Sequence, residues 1–391
     1  MTGRLLFDLT HTSHTRARTG VQRVVRSLHR ELGERALAVT HDPFLRTWRP
    51  LEPWETANLS TDAASSARGA RWPLGARWRG HLRRTLGAGA QFSPPADCAG
   101  FLTAEIFSPA VGAALPDVHP RIAVFHDAIA LRYPELTPAG TVARFPAYLR
   151  ELLSFDGIAA VSEDSRDALI DYWRWLGAAQ PPPVVAIPLG VDAVGSAKTL
   201  VDAEETPTVL CVGTLEGRKN HLALLEAAEQ LWSHGLRFSL RLVGSIQAET
   251  GRAAADRLRT LQARGRPLRH DGALPDRDVA DAYAAAAFTV YPSISEGFGL
   301  PVIESLARGR PCICSARGAL GEQSRHGGCW PLESVDAPSL ASAIARLIES
   351  PDELARLSAA ARARTFKTWA AYAAEIVAWM ETLPRPDRNH S

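Results

Sequence analysis

The stretch SISEGFGLPVIE, Ser293 to Glu304, follows directly on the apolar run AFTVYP and sets two carboxylates, Glu296 and Glu304, eight positions apart around a glycine-rich turn and a proline. A short run of Phe, Val and Tyr reads as a buried strand. The Ser-Glu-Gly-Phe-Gly segment leaves small residues where backbone can approach a ligand. Pro301 fits the first helical position, and VIESLARG continues with helical spacing. The unit is therefore strand, turn, helix, with the amide end of the helix aimed at the place where the strand stops. A surface helix with an acid near its start would account for Glu304 through the dipole alone, but not for the paired glycines or for Glu296.

The same unit recurs along the chain. Runs rich in Val, Ile and Leu alternate with longer segments of helical period, the pattern of parallel sheets covered by helices. In the first half the expected strands lie near RLLFDL (4–9), ALAVTHD, GFLTAEI, RIAVFHD (121–127), GIAAVS and PVVAIPL (183–189); in the second, near TVLCVGT (208–214), SLRLVG, LRHDGAL, AAFTVYP, PCICSA and GGCWPL. Periodicity fails in GVDAVGSAKTLVDAEETPT, positions 190–208. That seam predicts two doubly wound domains, 1–195 and 196–368, followed by a terminal helix and tail, 369–391, with apolar residues at Trp369, Tyr372, Ile376, Trp379 and Met380. Two such domains face each other across a cleft between the carboxyl ends of their strands, where ligands of these folds sit.

Composition narrows the function classes. The chain has 391 residues, is 46% hydrophobic and 22% charged, and carries a formal net charge of +2, which is ordinary for a globular two-domain protein and unlike a nucleic-acid binder. Its five cysteines are odd in number and sit in apolar runs, so they read as small buried hydrophobes; Cys312 and Cys314 have no second pair at zinc-ligand spacing. The opening MTGRLLFDLTHTSH reaches Asp8 after three consecutive apolar residues, and no apolar run approaches the roughly 20 residues of a bilayer span. A cytoplasmic location is the expectation.

Four motifs fall at strand ends. In CVGTLEGRKNHLALLEA, 211–227, a strand stops at Gly213 and a helix opens beyond Arg218 and Lys219, so that two cations and free amides form an anion site. The chain has only three lysines, Lys198, Lys219 and Lys367, which makes a lysine at this point a chosen point charge. The second motif is the Glu296/Glu304 stretch. In AVFHDAIALRYPE, His126 and Asp127 end a buried strand facing the cleft from the first domain; a satisfied core histidine is the competing account of His126. In THTSHTRARTGVQRVVRSLHREL, a loop leads from Asp8 and Thr10 to Gly20 at a helix start, a weak phosphate-cradle signal beside Arg16, Arg18 and Arg23.

The segment 211–227 together with HDGALPDRDVADAYAAAAFTVYPSISEGFGLPVIESLARGRPCICS resembles the donor-binding half of the family 4 retaining glycosyltransferases of GT-B architecture, over about 207–381 and including the E-x(7)-E pattern from Glu296 to Glu304. FHDAIALRYPE, IAAVSEDSRDAL and IPLGVDA resemble the same family, whereas 36–118 resembles nothing placed. The resemblance implies two Rossmann-like domains, with the terminal helix crossing back to the first. It also implies transfer of a hexose, mannose or glucose favoured, from a nucleotide diphosphate sugar to a hydroxyl of a growing glycan. Retention of configuration is implied, with no metal and no cofactor beyond the nucleotide sugar co-substrate. By the family pattern Arg218 and Lys219 neutralise the pyrophosphate, and Glu304 binds the ribose hydroxyls. Glu296 with the amides of Phe298, Gly299 and Leu300 holds the donor sugar, and His126 touches it from the opposite wall. Gly213, Leu274 and Gly20 complete the expected donor site, Gly244 and Leu274 lying where the base is chosen. The single Gly20, preceded by Thr19 where many relatives carry paired glycines, departs from the pattern.

Between Ala63 and Ala96 there is no acidic residue, while Arg68, Arg71, Arg77, Arg79, Arg83 and Arg84 surround Trp72 and Trp78. Residues 67–86 are thus expected either to form a basic loop or to meet an anionic membrane surface at the inner face of the plasma membrane, docking the protein to a lipid-linked acceptor such as a precursor of bacterial surface polysaccharide or lipopolysaccharide. Other classes fit less. A dehydrogenase of doubly wound architecture needs G-x-G-x-x-G after an early strand, and the opening strand here leads to none. A non-catalytic sugar-nucleotide binding protein remains as the alternative to an enzyme.

Overall fold

The computed structural model describes residues 3–17, 19–60, 71–85, 92–106, 109–192 and 206–384. The expected strands sort into two sheets. The first holds β1 (Arg4–Asp8), β2 (Ala36–Asp42), β3 (Thr47–Pro50), β4 (Cys98–Thr103), β5 (Arg121–Phe125), β6 (Gly157–Ala160) and β7 (Val184–Ala186) in the order β3-β2-β1-β4-β5-β6-β7. The second holds β8 (Thr208–Val212), β9 (Ser239–Val243), β10 (Leu268–His270), β11 (Phe288–Tyr291), β12 (Cys312–Ser315) and β13 (Cys329–Leu332) in the order β10-β9-β8-β11-β12-β13. Among the described residues only β2 and β3 pair antiparallel. In both sheets the strand order reverses beside the opening strand, between β1 and β4 and between β8 and β11, and these switch points open the crevices where ligands settle.

Two-sided burial explains why the strands read as continuous apolar runs. In β1, Leu5 and Phe7 enter one core cluster and Leu6 another on the opposite face; in β8, Val209 and Cys211 part from Leu210 in the same way. β3 was not expected. TWRP carries an arginine and ends in Pro50, which a sheet accepts only at its edge, and the turn from β2 uses Arg46 at φ 58°. All five cysteines are buried and free, Cys312 and Cys314 facing one cluster.

The helix Trp369–Thr382 is capped by the Thr368 side chain, which accepts from the Ala371 amide. Its Tyr372, Ile376 and Met380 are fully buried in the cluster that holds Leu5 and Phe7 of β1 and Val24 and Leu28 of the helix Gly20–Leu32. The end of the chain therefore packs on the first sheet, next to Gly100, where an added Cβ would meet Met380 Cε at 2.2 Å. Phe298, Leu300 and Ile303 join this same cluster from the second sheet's side, so one apolar core crosses between the halves. The expected boundary at 195/196 falls within 193–205, outside the described residues.

Polar contacts hold the halves together around one loop. The hydroxyls of Ser162 and Ser165 donate to the Gly297 carbonyl at 2.6 and 3.2 Å. The Glu322 carboxylate accepts from the amides of Asp164 and Glu163 at 2.7 and 3.2 Å, occupying the start of the helix Glu163–Leu176. Gly297 is required here: an added Cβ would lie 2.1 Å from the His126 carbonyl oxygen.

Candidate active site

On the second domain, the chain leaves β8 at Val212 and passes Gly213 into the tight turn Gly217–Lys219, which precedes the helix His221–Ser233. Gly213 makes room for the lysine: a Cβ there would stand 3.1 Å from Lys219 Cδ. The Lys219 ammonium donates to the Tyr291 hydroxyl, lies 4.7 Å from the centre of that ring, and reaches Glu296 Oε1 at 2.9 Å. Arg218 grips the other oxygen, with Nη1 2.7 Å from Glu296 Oε2, and places Nη2 2.8 Å from Glu216 Oε1. Arg218 Nη1 also donates to the Ser295 carbonyl at 3.2 Å, and its own carbonyl accepts from the Ile294 amide at 2.8 Å, which fixes the two loops against each other. Burial alone would raise the Glu296 pKa, but Arg218 and then Lys219 outweigh it and pull the group down to about 2. Glu296 is therefore a permanent anion clamped between two cations.

The helix of the opening motif runs Leu300–Ala307, so Pro301 is its second residue and Leu300 its first, a shift of one from the sequence reading. Gly299 precedes it at φ 95°, in the left-handed region that a side chain resists. Glu304 sits one turn in, 4% exposed, and forms an ion pair with Arg23 of the first domain. The Tyr283 hydroxyl donates to Glu304 Oε2 at 3.3 Å, and the Arg308 guanidinium stacks 4.9 Å over the Tyr283 ring.

The first-domain wall is built differently. His126 follows directly on β5, and its Nε2–H donates to the Ala104 carbonyl at 2.7 Å, while burial lowers its pKa. The imidazole is thus neutral, with Nδ1 left as an acceptor. Burial likewise raises the Asp127 pKa, an effect Arg218 only partly offsets. Gly20 opens the helix Gly20–Leu32 with nothing within 4 Å of where its Cβ would be, so packing does not demand glycine there. Deeper in the same wall, Asp8 and Glu105 are both buried. Asp8 accepts from the Thr10 amide and the Thr103 hydroxyl at 2.9 Å each, and Glu105 accepts from the amides of His11 and Thr12. Burial, and after it the charge of Asp8, push Glu105 up to about 8.

All eleven residues named from the sequence, Gly20, His126, Gly213, Arg218, Lys219, Leu274, Glu296, Phe298, Gly299, Leu300 and Glu304, line one cleft of about 1280 Å³ between the domains. Gly244 lines it too. Sequence reasoning missed Tyr291, Tyr283, Arg308, Asp8 and Glu105, and gave Arg23 little weight. Tyr291 and Tyr283 belong to segments that read as core, and the acid pair is contributed by strands far apart in sequence. Arg18 lies outside the described residues. Among the described residues no group of three or more His, Cys, Asp or Glu is arranged to hold a metal ion.

Residues 197–364 match the family described as Glycosyl transferases group 1. The match spans most of the second domain and less than half of the chain. Among curated relatives, the serotype-specific mannosyltransferase WbdA of Escherichia coli is 28% identical over 337 residues, covering 80% of this chain but 38% of that protein. The O-antigen chain mannosyltransferase B of Escherichia coli is 41% identical over 110 residues, 27% of this chain and 28% of that one. The chain thus spans about a third of the length of the curated relatives it matches. The chain has the GT-B fold. It superposes on Anabaena HepE, solved in complex with UDP and glucose, with a TM-score of 0.68 at 14% identity, covering 97% of this chain and all of that one. Sucrose-phosphate synthase of Thermosynechococcus elongatus gives 0.67 at 18% identity, covering 97% and 98%.

Proposed function

We propose that the chain is a metal-independent, retaining glycosyltransferase that moves a hexose, mannose first, from a nucleotide diphosphate sugar to a hydroxyl of a bacterial polysaccharide. The observation that carries this reading is the convergence of Arg218 and Lys219 on Glu296 at the start of the helix Leu300–Ala307, on the wall of the cleft. Cleaving a glycosyl phosphate develops negative charge on the departing diphosphate and positive charge on the sugar, so the site needs cations at one end and an anion at the other. All three groups are present, and the helix amides add to the cationic end. With Arg218 and Lys219 supplying the positive charge, a divalent ion is dispensable.

In the reaction the acceptor oxygen bonds to the anomeric carbon on the face the phosphate leaves. The carbon–oxygen bond to the diphosphate breaks, and the acceptor's proton passes to the departing phosphate oxygen. Glu296 stabilises the positive sugar without forming a bond to it, and His126 offers Nδ1 to a sugar hydroxyl from the other wall. Glu304 takes the ribose hydroxyls, which requires Arg23 to share or release it. Mannose is favoured because WbdA and the O-antigen enzyme, two of the relatives, are named as mannosyltransferases.

A thermal-shift panel of GDP-, UDP-, ADP- and dTDP-sugars tests the donor. A cognate donor at 100 times its dissociation constant stabilises the fold by about 2.7 kcal/mol. GDP-mannose should give the largest shift, and no shift with any of the four would contradict the reading. A sugar trapped covalently on Glu296 would contradict the one-step route.

A further inference from the structure

The helix Leu74–Thr85, LGARWRGHLRRT, is turned the wrong way round for a surface helix of a soluble protein. Its only buried residues are small ones, Ala76 and Gly80. Gly80 lies so close to Phe44 that an added Cβ would stand 2.6 Å from Phe44 Cβ. Its large apolar residues face outward: Leu74 is 71% exposed, Trp78 75% and Leu82 59%. Spaced four apart, these three form one ridge. At about 100° per residue, Arg77 and Arg84 flank the ridge on one side and Arg79 and Arg83 on the other. Arg79 reaches Glu52 at 2.8 Å, whereas Arg77, Arg83 and Arg84 have no acidic partner among the described residues. Cations in the last turn would suit the helix dipole, but the dipole gives no reason for an exposed tryptophan between two exposed leucines.

We propose that this helix lies in the interface of an anionic lipid bilayer, with Leu74, Trp78 and Leu82 among the acyl chain ends and the flanking arginines at the phosphates. Charge complementarity selects the occupant: an apolar ridge between two rows of guanidinium groups fits a surface that is apolar within and negative at its face. The placement gives the contact a purpose. Trp72, two residues before the helix, lines the cleft and stacks on buried His14 with ring centres 3.9 Å apart. Docking therefore sets the first-domain mouth of the cleft at the membrane, where a hydroxyl of a lipid-borne glycan would present itself. This last step rests on the transfer reading above; the membrane contact does not. No helix among the described residues is long and apolar enough to cross a membrane, so the contact is peripheral at this element.

The test is co-sedimentation of the full chain, without donor or acceptor, with vesicles of phosphatidylcholine alone and of phosphatidylcholine with phosphatidylglycerol. The protein should pellet with the anionic vesicles, remain in the supernatant with the neutral ones, and be released as salt is raised. The triple variant Leu74→Ser, Trp78→Ser, Leu82→Ser and the double variant Arg77→Glu, Arg84→Glu should each lower partitioning about tenfold or more, with thermal unfolding unchanged because every altered side chain is exposed. Equal pelleting with both vesicles, or wild-type partitioning by both variants, would overturn the proposal. So would a dimer in sedimentation velocity that the triple variant dissolves while vesicles bind neither protein. Because no substrate is present, this result is independent of whether transfer occurs.

Discussion

The two walls of the cleft solve the burial of polar groups in opposite ways. The second-domain wall holds full charges close together, Glu296 between Arg218 and Lys219, and keeps them ionised by pairing. On the first-domain wall burial works toward the neutral form of three titratable groups: His126 has a lowered pKa, Glu105 is pushed up to about 8, and Asp127 is raised. A wall that must meet a diphosphate needs charges that can change partners, since Arg218 and Lys219 can pass from a carboxylate to a phosphate without ever standing unpaired. A wall that must meet hydroxyls needs neutral donors and acceptors. On the reading proposed above, the difference between the walls is a division of labour between leaving group and acceptor.

The most severe break in this comparison is Glu296→Gln, which removes the anion and keeps the shape. Transfer should fall by at least about 100-fold, as for loss of one preorganised charge at a reacting centre. Binding of GDP or UDP should persist or tighten, because both cations lose their internal partner. Initial rates and calorimetric titration on the same preparation check both halves. Next comes Lys219→Met, which removes one cation from beside Tyr291 and Glu296; diphosphate affinity should drop about 10- to 150-fold, the equivalent of a charged hydrogen bond of about 1.5–3 kcal/mol.

A smaller effect is expected where the walls touch. Gly297→Ala drives a methyl group into the His126 carbonyl and should cost about 1–3 kcal/mol of stability by overpacking, read as a lower unfolding temperature together with weaker donor binding. Last is the pH effect of Glu105. Its folded pKa lies above the ordinary carboxylate value, so its contribution to stability is full below about 4.5 and is lost as pH rises through about 8. Unfolding temperature measured across that interval should slope downward in the native protein and less steeply in Glu105→Gln.

How much of this was legible in the sequence follows the same division. Arg218, Lys219 and Glu296 sit in loops that follow strand ends on the second domain, and Glu304 one turn into the helix beyond, so short-range spacing is enough to bring them together. Twelve strands could be read because two-sided burial makes them apolar runs, whereas β3 could not, since an edge strand such as TWRP needs no such run. The first wall was largely hidden. Asp8 and Glu105 meet only because β1 and β4 are neighbours at the switch point, and nothing local in either segment announces a buried acid pair. Arg23 was discounted as one arginine among many, and only the packing of the helix Gly20–Leu32 against Leu300 and Ile303 shows it reaching Glu304. The ridge on Leu74–Thr85 is intermediate: its charges were visible in the sequence, but which side faced out was not.

The most direct measurement is calorimetric titration of the wild-type protein and of Arg218→Met with paired nucleotides, GDP against GMP and UDP against UMP. If a diphosphate is received by Arg218, Lys219 and the start of the helix Leu300–Ala307, the diphosphate of the cognate base binds at least about tenfold more tightly than its monophosphate, and Arg218→Met closes most of that gap. Equal affinity for mono- and diphosphate in the wild type, or a gap that survives in Arg218→Met, would contradict the account.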